Sequence, residues 1–486
     1  MSDTFAISST KKSLISGSGP LLTLIVLCGL VLRIGELNGP VEYDEAYSVV
    51  EFASRSWWTV ISDYSLPNNH IFHNLLVRSS LLSLGLHAWS IRLPALVAGL
   101  GMIAAAYFMG KAFYSKETGL VAASLTAFFP ELVHFSTIAR GYTLVGLFSL
   151  LIFWLAQQII TRPARRYWVM MTACSALGLW TIPIMLYPAS AAYLWVALEG
   201  PRNRKFFTGW LTSGLAIGLF AGLLYSPALA ISGWRRILDN GFVQPVDAKK
   251  FFDWLLLARL EQTWGNWTNQ LPWQLTSVLV CGFLLSVILH RKLGSSRWPL
   301  SVLLLGWCAL LVLARRPDAF DRFWSWMIAP LLVWSAAGLV ETTRRIRNQQ
   351  VSWPTILSWL AIVGLAISAI ISLPGMPLRW AKVSNVQASA LYLAAELQPG
   401  DAILAGYPNN AALWYYLKEY GVSDTAWQAH ANAGRYLVLL ATNQKDQSIE
   451  TIFKSYGLDP TRIDLKNVIA LGEYGKIRIF ACKPLK

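Results

Sequence analysis

"WSIRLPALVAGLGMIAAAYFMGKAF", residues 89–113, decides what kind of chain this is. From Leu93 to Gly110 it carries no charged side chain. A helix needs about 20 predominantly apolar residues to cross the hydrocarbon core of a bilayer. Comparable runs of roughly 17–22 residues recur from Leu21 to about Leu373. The 486 residues are 55% hydrophobic and only 14% charged, which excludes an ordinary soluble globular protein. The net charge of +15 does not point to nucleic acid, because the basic residues fall in short clusters between apolar runs.

Those clusters order the topology. Spans are predicted at about 20–37, 91–110, 119–136, 142–160, 168–182, 185–199, 208–229, 273–290, 298–314, 325–341 and 353–373. Lys11/Lys12, Lys111/Lys116, Arg162/Arg165/Arg166, Arg202/Arg204/Lys205, Arg291/Lys292/Arg297 and Arg344/Arg345/Arg347 then share one side, which the positive-inside rule makes cytoplasmic. The stretch 168–199 serves this arrangement only as a tight hairpin broken at Pro183 and Pro188. The expectation is a polytopic α-helical membrane protein of about 11 transmembrane helices. Its N-terminal run reads as an uncleaved first span, with the chain's C-terminus outside. Cys28, Cys174, Cys281 and Cys308 lie in apolar runs and Cys482 stands alone, a pattern of neither disulfides nor zinc.

Two parts follow: a membrane domain over 1–373 and an extracytoplasmic α/β domain over 374–486. The second has strand-like runs at 401–406, 435–441 and 476–482 and a helical pattern in "NNAALWYYLKEYG". The first outer loop, 38–90, contains Ala46, Val49, Val50 and Ala53 at helical spacing, suggesting a helix along the interface. Ile71–Leu86 reads as a second interfacial segment, and Trp57, Trp58 and Trp89 suit the headgroup level. A long outer loop is expected at 230–272, where Trp264 and Trp267 suit either an interfacial belt or a sugar.

The first loop opens with "EYDEAYS", and its adjacent carboxylates are the leading chemical feature. Asp44 suits an N-cap, and equally suits a base that deprotonates an acceptor at the outer mouth of the membrane domain. Further stretches bear on the choice: "LPNNHIFHNLLVR", then "RLP" at Arg92–Pro94, "ARGY" at Ala139–Tyr142, and "DRF" at Asp321–Phe323 with Pro330. Taken in order, these resemble the GT-C superfamily of membrane glycosyltransferases, in particular the family-39-like group of protein O-mannosyltransferases and lipid A aminoarabinose transferases. The resemblance covers about residues 20–340. It implies transfer of a sugar from a polyprenyl-phosphate donor to a protein, lipid or glycan acceptor, with inversion and with Asp44 as general base. Glu45 and Glu131 would give acidic support. Arg322 and Arg140 would stabilise the leaving phosphate, with Tyr142, His70, Arg315 and Arg316 as further substrate contacts. Arg33 is another arginine near an outer mouth. Two departures stand out: Ile138 where relatives carry Glu, and Phe323 where Tyr is usual. No cofactor is required, although Asp44, Glu45 and His70 are ligand types that a divalent metal could use. The rival readings are a lipid-linked sugar flippase, and an O-antigen-type ligase or polymerase using a diphosphate-linked glycan. Against the first, the charged groups gather at outer mouths and no repeat is visible.

Overall fold

A computed structural model describes residues 18–238, 244–294, 296–345, 359–360, 362–368, 385–428, 433–444 and 446–485. Helices stand at ten of the predicted span positions, and the eleventh, 353–373, lies largely outside the described residues. Four of them, Ala88–Phe113, Tyr142–Thr161, Arg204–Ser232 and Asp321–Thr342, are long and apolar enough by length and composition to cross a membrane. Together these make a mostly helical, multi-span integral membrane protein with a small mixed sheet at its C-terminal end.

Helices pack where small residues let backbones approach, as membrane interiors demand. Trp273–Ile288 and Ser325–Arg345 cross at Gly282 and Gly338. A Cβ on Gly338 would stand 1.8 Å from the Gly282 carbonyl oxygen. Around such crossings lies one continuous apolar core that includes the fully buried Trp195, Trp326 and Trp334.

Several expectations need correction. The predicted span 119–136 is two helices, Lys116–Phe128 and Pro130–Phe135. Pro130 donates no backbone hydrogen bond, and it forces Phe129 out of the helical region (φ −67°, ψ 119°), so a new helix starts there. In the predicted hairpin the break comes at Ile182–Pro183, whereas Pro188 sits in the first turn of Leu186–Glu199 without interrupting it. The "loop" 230–272 contains the helix Leu256–Thr268, bent 112° from the span that follows. Arg33 does not face outward. It is fully buried and donates from Nη1 to the carbonyls of Gly29 (2.8 Å) and Ala127 (2.9 Å).

The apolar stripe of Ala46, Val49, Val50 and Ala53 is helical as expected, over Tyr43–Ser48 and a π-turn at Val49–Ala53. It does not lie on lipid. It is buried against the C-terminal domain, chiefly the helix Asn410–Glu419. That helix is apolar all round from Ala411 to Leu417 because it is covered on both sides, by this stripe and by the sheet. The sheet runs in the order β1 (Asp401–Ala405), β2 (Arg435–Ala441), β4 (Ile477–Cys482), β3 (Ile469–Tyr474), with β1 and β2 parallel and the others antiparallel. Strand β3 went unpredicted because it is an exposed edge broken by a bulge at Ala470/Gly472 and has no alternating pattern.

The Gly282–Gly338 crossing predicts that Gly338→Val lowers stability by about 1–3 kcal/mol or more, read as thermal unfolding of the purified protein in detergent. Gly306→Ala, where an added Cβ meets nothing within 4 Å, should leave the transition unchanged or slightly raised.

Candidate active site

The site begins with a buried ion pair. Glu45, in the first turn of Tyr43–Ser48, is 1% exposed and accepts from Arg92 Nε at 2.9 Å and Nη2 at 2.8 Å. Its two oxygens also accept the backbone N–H groups of Glu42 (3.0 Å) and Ala139 (2.6 Å). Burial alone would raise its pKa. The Arg92 charge and these hydrogen bonds reverse that and hold Glu45 below the ordinary value. The rest of the Arg92 guanidinium donates to the carbonyls of Leu37 (3.1 Å), Gly39 (2.7 Å) and Pro40 (2.8 Å). Arg92 therefore ties the end of the first span, the Asp44 helix and, through Glu45, the Ala139 loop into one unit.

That unit also presents Asp44, the residue before Glu45 on the same short helix. The Asp44 carboxylate is part-exposed and accepts from Arg322 Nη1. Its main-chain oxygen accepts from Ser48 Oγ (2.9 Å) and Arg140 Nη1 (3.2 Å). Desolvation pushes the carboxyl up, and the charges of Arg140 and Arg322, with hydrogen bonds from Arg322 and Asn68, bring it below its usual value. Asp44 does not cap the helix: the N-cap is Glu42, in a capping box with Glu45.

Arg140 is buried and gathers the second half of the site. It reaches Ser48 Oγ and the Asn68 carbonyl (3.1 Å), and its Nη2 lies 3.2 Å from His70 Nε2. His70 Nδ1 accepts from the Gly141 N–H at 2.9 Å, so that nitrogen carries no proton. Burial, then the charges of Arg140, His73 and Arg322, hold the imidazole neutral, well below its ordinary pKa. Its one proton therefore sits on Nε2, facing Arg140. Two donors converge there, the arrangement an anionic oxygen satisfies. Gly141 is required at this point, because a Cβ on it would stand 3.1 Å from His70 Nδ1 and 2.6 Å from Thr181 Cγ2. Tyr142 closes this side, its ring 5.2 Å from that of His70 and 5.8 Å from the Arg140 guanidinium carbon.

Not every sequence candidate joins this cluster. Glu45 is saturated by Arg92 and two backbone donors. Glu131 is buried in the first turn of Pro130–Phe135, and the charges that set the environment of Asp44 are Arg140 and Arg322, not Glu131. Arg315 ends its helix exposed. Arg316, at φ 47°, donates from Nε to the Val246 carbonyl at 3.2 Å, stitching the turn to residue 246. A metal held by Asp44, Glu45 and His70 does not fit, since each of the three faces a guanidinium. Among the described residues no group of three His, Cys, Asp or Glu is gathered closely enough to hold one. Ser48 and the Asn68 carbonyl were missed. The only signal for Ser48 was its place one helical turn after Asp44.

Beside the cluster, Trp324 marks the edge of an apolar groove of about 700 Å³. It is walled by Leu256, Leu260, Trp264 and Trp267 on one side and by Met327, Ile328 and Leu331 on the other.

Comparison with known proteins bears on this arrangement. Residues 71–229 match the family described as dolichyl-phosphate-mannose-protein mannosyltransferase. Over nearly its whole length the fold resembles that of solved membrane glycosyltransferases. It is similar to ArnT from Cupriavidus metallidurans in the apo state at a TM-score of 0.60 and 11% identity, over 95% of this chain and 98% of that one. The same protein bound to undecaprenyl phosphate aligns at 0.59, with 11% identity over 96% and 98%. The archaeal oligosaccharyltransferase AglB from Archaeoglobus fulgidus, in complex with an inhibitory peptide and a dolichol-phosphate, aligns at 0.51 and 11% identity, over 86% and 69%. No curated protein sequence matches. At such identities the likenesses establish the fold. The family match over residues 71–229 agrees with the resemblance read from the motifs.

Glu45→Ala should cost about 3–5 kcal/mol, because it leaves the Arg92 charge buried without its partner. Glu45→Gln, which keeps one acceptor oxygen, should lose less. Thermal unfolding of both variants checks the order.

Proposed function

We propose that this protein transfers a sugar from a polyprenyl-phosphate donor to an acceptor hydroxyl or amine at the extracytoplasmic membrane face, inverting the sugar carbon, with Asp44 as general base. The observation that carries this reading is the placing of Asp44 within a ring of cationic and neutral donors, Arg322, Arg140 and His70, beside an apolar groove. A phosphorylated polyprenyl lipid has those two chemistries joined end to end. The groove edge at Trp324 is two residues from Arg322, so a chain lying in the groove brings its phosphate to that guanidinium.

In the step itself, the acceptor O–H or N–H gives its proton to Asp44 as its lone pair attacks the sugar carbon. The bond from that carbon to the phosphate oxygen breaks, and the electron pair leaves on polyprenyl phosphate. Arg322 and Arg140 stabilise the growing negative charge, and His70 donates from Nε2. Arg322 also answers a difficulty. A carboxylate beside two guanidiniums is a weak base. A phosphate within reach of Arg322 competes with Asp44 for the same guanidinium, and Asp44 then becomes more basic when the donor is in place. Glu45 acts at one remove: it holds Arg92 and the Ala139 N–H, and so the relative position of Asp44 and Arg140. Glu131 is given no proton to carry in this reading.

Asp44→Asn should reduce transfer from a polyprenyl-phosphate sugar by about 10²–10⁴-fold with the thermal transition nearly unmoved. Near wild-type transfer by this variant overturns the mechanism. Diphosphate-linked donors should not substitute for monophosphate ones, and activity with the former alone would favour a ligase or polymerase.

The pH dependence has a definite sign. The Asp44 pKa is depressed below 3.8, so its ion pair is complete above that value and is lost as pH falls through the lower, folded value. The acid limb of kcat/KM, which reports the free enzyme, should therefore lie below pH 3.8, and the limb of kcat should lie higher. A limb of kcat/KM at or above about pH 5 would contradict the assignment.

A further inference from the structure

The helix Leu256–Thr268 faces two neighbours. Leu256, Leu260, Trp264 and Trp267 wall the apolar groove. Its polar side chains take hold of the segment that leads into Arg322, at two points just before that residue. Arg259 donates from Nε (2.6 Å) and Nη2 (3.0 Å) to the two oxygens of Asp318, four residues before Arg322. Asn266 donates from Nδ2 to Asp321 Oδ2 at 2.7 Å, one residue before it. Arg259 and Asn266 are seven positions apart, two helical turns, so both project from one face. The turn Asp321–Trp324 is the principal element outside its own segment that this helix packs against. Only Thr263 within the helix is buried.

Such a helix is held softly. The Arg259–Asp318 pair is about a third exposed at both ends (32% and 35%), where ion pairs hold weakly, while apolar area covered in the groove exerts the larger effect. A chain occupying the groove therefore sets where the helix lies, and two polar ties pass that position to the turn bearing Arg322.

We propose that Arg259 and Asn266 are positioning residues that couple occupation of the apolar groove by the donor's polyprenyl chain to the placement of Arg322, so that the enzyme senses chain length at the phosphate. This rests on the proposed polyprenyl-phosphate donor and adds residues that the motifs did not single out.

The test compares two donors with the same sugar, one on a full-length polyprenyl phosphate and one on a two-isoprene phosphate, across wild type, Asn266→Ala, Arg259→Ala and the conservative Asn266→Gln. Wild type should favour the long donor by tenfold or more in kcat/KM. The alanine variants should lose at least fivefold of that advantage, with the short donor unchanged, and Asn266→Gln should recover part of it. An equal fall with both donors, or an unchanged preference, overturns the coupling. The same long-to-short ratio is read in binding with the sugar-free polyprenyl monophosphates. A chain that binds them but transfers nothing refutes the function proposed above, and the coupling then stands or falls on whether the variants lose the binding ratio.

Discussion

The Arg92–Glu45 pair is the constraint on which the rest of the site depends. Arg92 belongs to a helix long and apolar enough to span a membrane, and its charge is buried where water cannot solvate it. It must find every partner within the protein, and it does so in one carboxylate and the carbonyls of Glu36, Leu37, Gly39 and Pro40. Glu45 is then obliged to accept from Ala139, which leads directly into Arg140. One ion pair thus sets both the helix that displays Asp44 and the loop that supplies its cationic neighbour. The adjacent carboxylates of "EYDEAYS" have opposite duties: one is enclosed and structural, the other is part-exposed and available.

A second theme is the division of the arginines. Arg33, Arg92 and Arg316 are occupied with backbone carbonyls and hold segments together. Arg140 is shared between structure and site, and among the described arginines Arg322 is the one that donates to the Asp44 carboxylate, from a turn beside the apolar groove. Guanidinium suits all these tasks because its five donors form a rigid, always charged fork. Residue type therefore does not distinguish the tasks. Only the identity of the acceptors does.

The docking of the C-terminal domain adds a consequence for chemistry. The helix Asn410–Glu419 covers the back of the Asp44 helix, and Tyr416 Oη accepts from the Val41 N–H at 2.8 Å. The domain that the sequence presents as a separate tail is thus a wall of the loop that carries Asp44. The stripe of Ala46, Val49, Val50 and Ala53 was legible as a helix face because periodicity survives in one dimension. What it packs against was not, since a lipid surface and a protein partner demand the same apolar pattern.

By itself, the sequence determined a helical membrane architecture, the positions of most long helices and the mixed tail, and it singled out Asp44, Arg140, His70 and Arg322, which the fold brings together. These are local matters: run length, charge spacing and short motifs leave their mark within tens of residues. It did not determine that Glu45 is enclosed, that Arg315 and Arg316 turn away, or that residues 256–268 form a helix tied to Arg322. Those outcomes depend on contacts between residues far apart in the chain, 278 positions in the case of Asp44 and Arg322. A carboxylate beside a carboxylate looks the same in sequence whichever one the fold buries. The tertiary structure decides by enclosing one with Arg92 and leaving the other part-exposed beside Arg322.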